Sequence, residues 1–171
     1  TNDYFSSPNS KAEGVTVFLY ENHFKDSSNN SLHTIVFTGT LDAMGKQYSQ
    51  GDNLIWDLFL TKLNRYTKSY SSAAERSLIS FGVAESYPVQ NVYILKVKNG
   101  PKFASAWENY NTKANSEDRK VSFGQFNLGR STNGETHYVL SEVNSFKDAF
   151  RMGKFRDPIV SAKNTAWNKF I

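Results

Sequence analysis

Three histidines are the residues of this chain best suited to acid–base chemistry or to holding a metal ion. They stand at His23, His33 and His137, and no two of them share the short spacing typical of a metal-binding pair. A metal site would therefore need the fold to bring them close to a carboxylate such as Glu21 or Glu142. On the simpler interpretation, His33 and His137 are half-buried strand residues with one ring nitrogen bonded to a neighbour. We predict no metal and no cofactor, and we keep His33 as a candidate ligand contact.

His137 is the strongest candidate for a functional side chain. It alternates with Val139, Ser141 and Val143 along a predicted strand, so these side chains share one face of a sheet. If that face lines an enclosed interior, a neutral imidazole there can bind a ligand or act as a general base. Arg130, beside a predicted hairpin, is suited to hold a carboxylate or another anion. The simpler interpretation makes it a solvated arginine next to a turn.

Two strand tyrosines, Tyr93 and Tyr138, are the remaining candidate ligand contacts. Aromatic side chains on strands and on helix stripes belong to the core more often than to a binding site. A tyrosine inside a closed interior nevertheless needs a partner for its hydroxyl group, and a bound ligand can supply one. We therefore include both tyrosines in the predicted site with His33, Arg130 and His137.

The sequence motifs of several function classes are missing from the chain. There is no Gly-x-Ser-x-Gly elbow, no phosphate-binding loop and no Gly-x-Gly-x-x-Gly sequence, so serine-triad catalysis, phosphoryl transfer and dinucleotide binding have no support. The chain has no cysteine, which excludes disulfides, thiolate metal sites and thiol catalysis. The segment Lys120–Phe126 superficially resembles the aromatic strand of RNA-binding modules, but its aromatic spacing is wrong. We predict no nucleic-acid partner.

Charge and hydropathy indicate an ordinary solvated surface. The 171 residues include 20 basic and 16 acidic side chains, a net charge of +4, and these charges are scattered along the chain. No apolar run approaches the roughly 18 residues of a membrane span, so we predict a soluble protein with no membrane partner. The chain starts at Thr1. Removal of an export signal and trimming of a longer chain both explain this start, and the compartment stays open.

The segment from Asn91 to Phe155 carries the elements that must position most of these residues. Sequence patterns there predict a strand at 92–98, a helix at 101–114, strands at 121–129 and 136–143 joined by an Asn133-Gly134 hairpin turn, and a short helix at 146–152. The order is β-α-β-β-α, which is most of a ferredoxin-like unit.

The first half of the chain has a different order of elements. Its patterns predict a flexible arm at 1–14, paired strands at 15–20 and 32–38, an irregular segment at 39–51, a helix from an Asp52 N-cap to Tyr66, a loop at 69–74 and a strand at 78–83. At the other end of the chain, the Asp157-Pro158 pair begins a C-terminal helix whose aromatic end is expected to dock on the body.

Together these elements predict one α+β domain at 15–171, in which helices cover one face of an antiparallel sheet. His33 and the strand around it are similar to His137 and its strand. This weak internal repeat suggests two ferredoxin-like halves, 15–88 and 89–155, followed by the docking helix.

The second half of the chain resembles the dimeric α/β-barrel superfamily of ferredoxin-like domains, which includes the antibiotic-biosynthesis monooxygenase-like and related stress-responsive proteins. The resemblance rests on Val92–Lys98 with the Pro101 helix, and on the run from Gly129-Arg130 through Asn133-Gly134 to Val139 and Ser145-Phe146. It implies one or two ferredoxin-like units that form an α/β barrel, within one chain or by homodimerisation. The first half departs from the pattern, because its two strands precede its long helix.

The function that we expect is binding of a small, partly apolar ligand in such a barrel, or self-assembly into a homodimer. The alternative is a cofactor-independent monooxygenase-like enzyme, in which the pocket excludes water and His137 acts as the base. An enclosed pocket that contains His137 and a second polar group favours the enzyme. A filled interior favours a structural or interaction role.

Overall fold

The computed structural model describes residues 6, 10–24, 30–49, 54–68, 71–83, 87–114, 119–129 and 134–151. The chain divides into two compact units, Thr1–Tyr70 and Ser71–Ile171. The predicted Asp52 N-cap, Arg130, the Asn133 turn position and the predicted C-terminal helix lie outside the described residues. Within the described part of the chain, no helix is long and apolar enough to cross a membrane.

The first unit contains a two-stranded sheet and two helices. Its elements are β1 (Thr16–Glu21), β2 (His33–Thr38), α1 (Leu41–Ser49) and α2 (Leu54–Tyr66). The two strands pair in antiparallel fashion, as predicted, from Thr16 opposite Thr38 to Glu21 opposite His33.

Helix α1 occupies a segment that the sequence predicts to be irregular. The Thr40 hydroxyl caps the helix by accepting a hydrogen bond from the Ala43 amide at 3.2 Å. Ala43 is also buried in a small cluster with Ala12 and Val15. These contacts outweigh the cost of about 1 kcal/mol for a glycine inside a helix, here Gly45.

Residues 10–14, predicted to belong to a flexible arm, pack within the first unit. Ser10 and Ala12 are buried, and the Ala12 amide donates a hydrogen bond to Gln47 Oε1 at 2.7 Å. The small side chains of Ser10 and Ala12 allow the backbone to pack closely. The polar composition of the segment does not indicate this packing.

Helix α2 is confirmed, but its apolar stripe is not buried. Leu54, Ile55 and Leu58 are 71%, 46% and 57% exposed, and no residue of this helix is buried. Trp56 and Phe59 contact each other along the helix, with ring centroids 5.5 Å apart. Among the described residues, α2 therefore leaves most of its apolar side open to solvent.

The second unit is built on a four-stranded sheet. Its elements are β3 (Ala73–Phe81), β4 (Val89–Leu95), α3 (Gly100–Ala114), β5 (Arg119–Gly129), β6 (His137–Val143) and α4 (Phe146–Arg151). The strand order is β3-β5-β6-β4, and every neighbouring pair is antiparallel. Strands β4 and β5 therefore run parallel on either side of β6, and α3 makes the crossover between them. The predicted α+β class with antiparallel sheet is confirmed, and the strands of the described residues do not close into a barrel.

Strand β4 starts and ends earlier than predicted. It stops at Leu95 and not at Lys98, because Thr136 takes over the hydrogen bonds beyond that point. The Thr136 amide donates to the Leu95 carbonyl at 2.9 Å, and the Thr136 hydroxyl accepts from the Val97 amide at 3.1 Å. The hydrogen bond to the Thr136 side chain therefore ends the strand at Leu95, although the pattern of the sequence predicts that the strand continues to Lys98.

Helix α3 is confirmed and covers one face of this sheet. The Asn99 side chain caps it by accepting from the Lys102 amide at 3.0 Å. The buried core contains Trp107, Val121, Phe123 and Val139, with partly buried Ile79, Phe81, Leu95, Phe103 and Ala104 packed against it. Side chains alternate between the two faces of a strand. We call the side that carries Phe123 the α3 face, and the side that carries Tyr138 the opposite face.

Candidate functional site

The predicted site residues of the second unit divide between the two faces of its sheet. Strand alternation puts His137 and Tyr93 on the α3 face and Tyr138 on the opposite face. His33 is exposed at the start of β2 in the first unit, and Arg130 lies outside the described residues. The sheet therefore groups His137 with Tyr93 alone. Within the described ranges, no three metal-binding side chains come together closely enough to hold an ion.

The His137 ring is packed on the α3 side of the sheet. It stacks on Phe123, with ring centroids 5.1 Å apart and planes 5° apart. Its Nδ1 lies 2.7 Å from Thr136 Oγ1, and a β carbon on Gly100 would lie only 3.2 Å from its Nε2. His137 lies on the face of the sheet that α3 covers, because it alternates with Val139, and Val139 belongs to the core under α3.

Burial lowers the pKa of His137 below its ordinary value of 6.5, because the charged ring is poorly solvated. Since the unfolded chain binds the proton more tightly, the contribution of His137 to the unfolding free energy is fully present above about pH 6.5 and falls as pH drops through this value. We expect the ring proton resonance of His137, assigned with a His137→Gln variant, to titrate in NMR with a midpoint below 6.5. A midpoint at or above 6.5 would contradict the packed position.

Tyr138 lies on the opposite face and is only 6% exposed. Its ring covers Gly124, where a β carbon would lie 2.3 Å from a ring carbon, and it contacts Phe126 at 5.7 Å between centroids. Burial raises the pKa of Tyr138, and the nearby Glu75 carboxylate raises it further. Desolvation also raises the pKa of Glu75, although part of that side chain reaches solvent. The Tyr138 phenol is therefore a neutral group held in place by the sheet.

A row of polar side chains follows along the opposite face. Ser80 Oγ lies 2.9 Å from Ser122 Oγ and 3.1 Å from Ser77 Oγ. Glu142, only 4% exposed, has its carboxylate 3.6 Å from Lys120 Nζ. These polar side chains are partners of one another, so none of them requires a ligand to satisfy its hydrogen-bonding or charged groups.

An open groove lies where β4 leads into α3. It measures about 460 Å³ and is lined by Leu95, Lys96, Val97, Lys98, Asn99, Lys102, Phe103 and Ala106. We call it the β4–α3 groove. It adjoins the His137 ring, because Leu95 pairs with His137 and the ring approaches Gly100 at the start of the helix.

The groove combines apolar and cationic side chains. Leu95 and Phe103 belong to the edge of the buried core. Among the described residues, the ion pairs join other side chains, and none joins Lys96, Lys98 or Lys102 to a carboxylate within 4.0 Å. Three ammonium groups beside an apolar floor can hold a molecule that is partly apolar and partly anionic.

Sequence reasoning missed this groove, because it treated the charges of the chain as a scattered, solvated surface. The available signal was local. Three lysines occur between Lys96 and Lys102, around the Asn99 that caps the helix. The residues on either side of a cap are held together by the turn, which brings their side chains to one end of the helix.

Comparisons with known proteins find no match for this chain. No protein-family model, no curated protein and no solved structure is similar to it at a significant level.

Proposed function

We propose that this protein binds a small, partly apolar molecule in the β4–α3 groove. The observation that carries the proposal is the lining of the groove, in which Leu95, Phe103 and Ala106 lie beside three lysines. The groove volume of about 460 Å³ falls in the range of small-molecule sites, about 300–1,000 Å³. Because the groove is open, part of the ligand would stay in contact with water.

The lysines define the chemistry of the ligand. An ammonium group strongly prefers a carboxylate, sulfonate or phosphate to a neutral partner. The first turn of α3 adds a favourable electrostatic contribution, since a helix N-terminus carries partial positive charge. We therefore propose a ligand with an apolar body and one anionic end.

Filling the groove should weaken the binding of a matching probe. Anilinonaphthalene sulfonate has an aromatic body and one anionic group, and its fluorescence rises on binding. We expect Ala106→Trp, which places an indole in the groove, to weaken the affinity for this probe by about tenfold or more, equivalent to about 1.4 kcal/mol. Titration by fluorescence, with circular dichroism to confirm folding, provides the measurement.

The neighbouring position supplies a matched control. Ser105 is exposed on the same helix and does not line the groove, so Ser105→Trp should leave the affinity unchanged. Equal affinities for the two tryptophan variants would overturn the proposal.

A lysine variant tests the charge of the ligand separately. We expect replacement of Lys96, Lys98 and Lys102 by glutamine to weaken sulfonate binding about threefold or more, since each exposed ion pair contributes about 0.2–1 kcal/mol. Binding of neutral phenylnaphthylamine should not change. Lys113→Gln, at the far end of α3, is the control. If the lysine replacements change the affinity for the sulfonate probe no more than the affinity for the neutral probe, the apolar part of the proposal survives and the anionic part is wrong.

The ferredoxin-like interpretation belongs to the same proposal. The β-α-β-β-α order and the crossover of α3 between β4 and β5 support it. The α/β barrel further requires the opposite face to meet a second sheet, from this chain or from another copy. A crystal structure in which Ser122 and Tyr138 face bulk solvent would exclude that barrel.

A further inference from the structure

We propose that helix α2 binds the surface of an anionic membrane through an exposed row of apolar and basic side chains. Leu54, Leu58, Lys62 and Tyr66 follow one another at four-residue intervals, so they form one row along the helix. Arg65 belongs to the same row, because it lies about two turns after Leu58. We call these five residues the α2 row. The proposal concerns the first unit and does not depend on the β4–α3 groove.

The α2 row is open to solvent. Its apolar members, Leu54, Leu58 and Tyr66, are 71%, 57% and 87% exposed. Its two basic members are exposed as well. The side of the helix away from the row is partly buried at its apolar residues Trp56, Phe59, Leu60 and Leu63. The α2 row is therefore a second apolar surface on this helix, and such exposed surfaces are typical of sites that bind a protein or a membrane.

The charge of the helix favours an anionic partner. Helix α2 contains two basic residues and a single acidic residue, Asp57, which lies outside the α2 row. Lys68, just beyond the end of the helix, is exposed and adds a further positive charge. Among the described residues, no ion pair joins Lys62, Arg65 or Lys68 to a carboxylate. Each such basic side chain is attracted to a surface of anionic lipids.

A lipid surface fits the order of these side chains better than a protein does. Lys62 lies between Leu58 and Tyr66 in the row, so a protein that covered the row would also bury the ammonium group and would have to supply a carboxylate there. At a membrane, the stem of a lysine or arginine lies beside the acyl chains while its charged end reaches the headgroups. A tyrosine suits the same boundary, because its ring is apolar and its hydroxyl group is polar.

This contact is peripheral, since a helix that lies on a membrane needs one apolar side and no membrane span. The prediction of no membrane partner rested on the length of apolar runs and on charges scattered along the sequence. It did not consider a short helix that places both kinds of side chain in one row.

Co-sedimentation of the full chain with lipid vesicles tests the proposal. We expect the natural chain to bind vesicles made of equal parts of phosphatidylserine and phosphatidylcholine about tenfold or more tightly than vesicles of phosphatidylcholine alone. Added salt should weaken binding to the anionic vesicles, because it screens the charges. Leu58→Glu should weaken this binding about twentyfold or more, since the loss of an apolar contact adds to the effect of the new charge.

Asn64→Glu is the matched control. Asn64 is exposed on the same helix and lies outside the α2 row, so this variant adds the same charge without removing an apolar contact. It should weaken binding at most about fivefold, the effect of one charge near an anionic surface. Circular dichroism checks that both variants keep their helices.

The proposal is wrong if the natural chain does not bind the anionic vesicles, if it binds both kinds of vesicle equally well, or if the two glutamate variants have the same affinity. Self-association of the chain without vesicles, measured by sedimentation velocity and abolished by Leu58→Glu alone, would also contradict it, because a second copy would then cover the α2 row.

Discussion

Replacing Phe123 with alanine is expected to lower the free energy of unfolding by about 3–5 kcal/mol, the usual cost of deleting a buried aromatic ring. Phe123 is fully buried, at 0% exposure. Its ring centroid lies 4.8 Å from that of Phe103, 6.4 Å from that of Trp107 and 5.1 Å from that of His137. The cavity would therefore open where the sheet, α3 and the imidazole meet.

Denaturant unfolding measured for Leu128→Ala gives the control. Leu128 lies on the same strand but is 73% exposed, so its truncation should cost well under 1 kcal/mol, as is usual for surface positions. The Phe123 variant should also raise the NMR pKa of His137 toward the ordinary value, because the lost ring lets water reach the imidazole. A cost below about 1 kcal/mol for Phe123→Ala would mean that this residue is not the centre of the core.

Much of the second unit could be predicted because its local signals agree with its packing. Pro101 and the apolar residues that follow it specify α3, and β5 and β6 each contain valine and aromatic residues that favour a strand. The pairing of these two strands follows from their closeness in sequence. Where local propensity and tertiary packing favour the same structure, a sequence pattern is sufficient.

The predictions for α1 and for the end of β4 were wrong because contacts between residues far apart in the sequence determine both. Helix α1 forms because Ala43 is buried with Ala12 and Val15, which outweighs Gly45. Strand β4 ends where Thr136, far along the chain, supplies the next hydrogen bonds. Neither contact can be recognised from the residues of the helix or the strand alone.

The candidate site was only partly predictable for the same reason. Strand alternation correctly groups His137 with Val139, Ser141 and Val143. It cannot say which of the two faces α3 will cover, and that choice decides whether the His137 ring is open to a ligand or packed on Phe123. The groove lysines lie together because the Asn99 turn holds the residues on either side of it at one end of α3.

Introducing a single methyl group at Gly124 is the second change with a large expected effect. A β carbon there would lie 2.3 Å from the Cζ atom and 2.4 Å from the hydroxyl oxygen of Tyr138. Because Tyr138 is buried, its ring cannot simply swing into solvent. We expect Gly124→Ala to lower the unfolding free energy by about 1–3 kcal/mol through overpacking.

Gly45→Ala is the matched control, since it makes the same chemical change where, among the described residues, nothing outside the adjoining helix backbone lies within 4 Å of the added β carbon. Alanine is the better helix former, so this variant should gain up to about 1 kcal/mol, the opposite sign. If both variants are stabilised, Tyr138 does not rest on Gly124.

A double-mutant cycle identifies the cause of the loss at Gly124. Tyr138→Ala alone removes a buried ring and should cost about 3–5 kcal/mol. In the double variant the ring that clashed with the new methyl group is absent, so the two losses should not add. We expect a coupling free energy of about 1 kcal/mol or more in favour of the double variant, measured by denaturant unfolding. Additive losses would show that Gly124 is required for its backbone or its sheet pairing, and not for the space that it leaves to Tyr138.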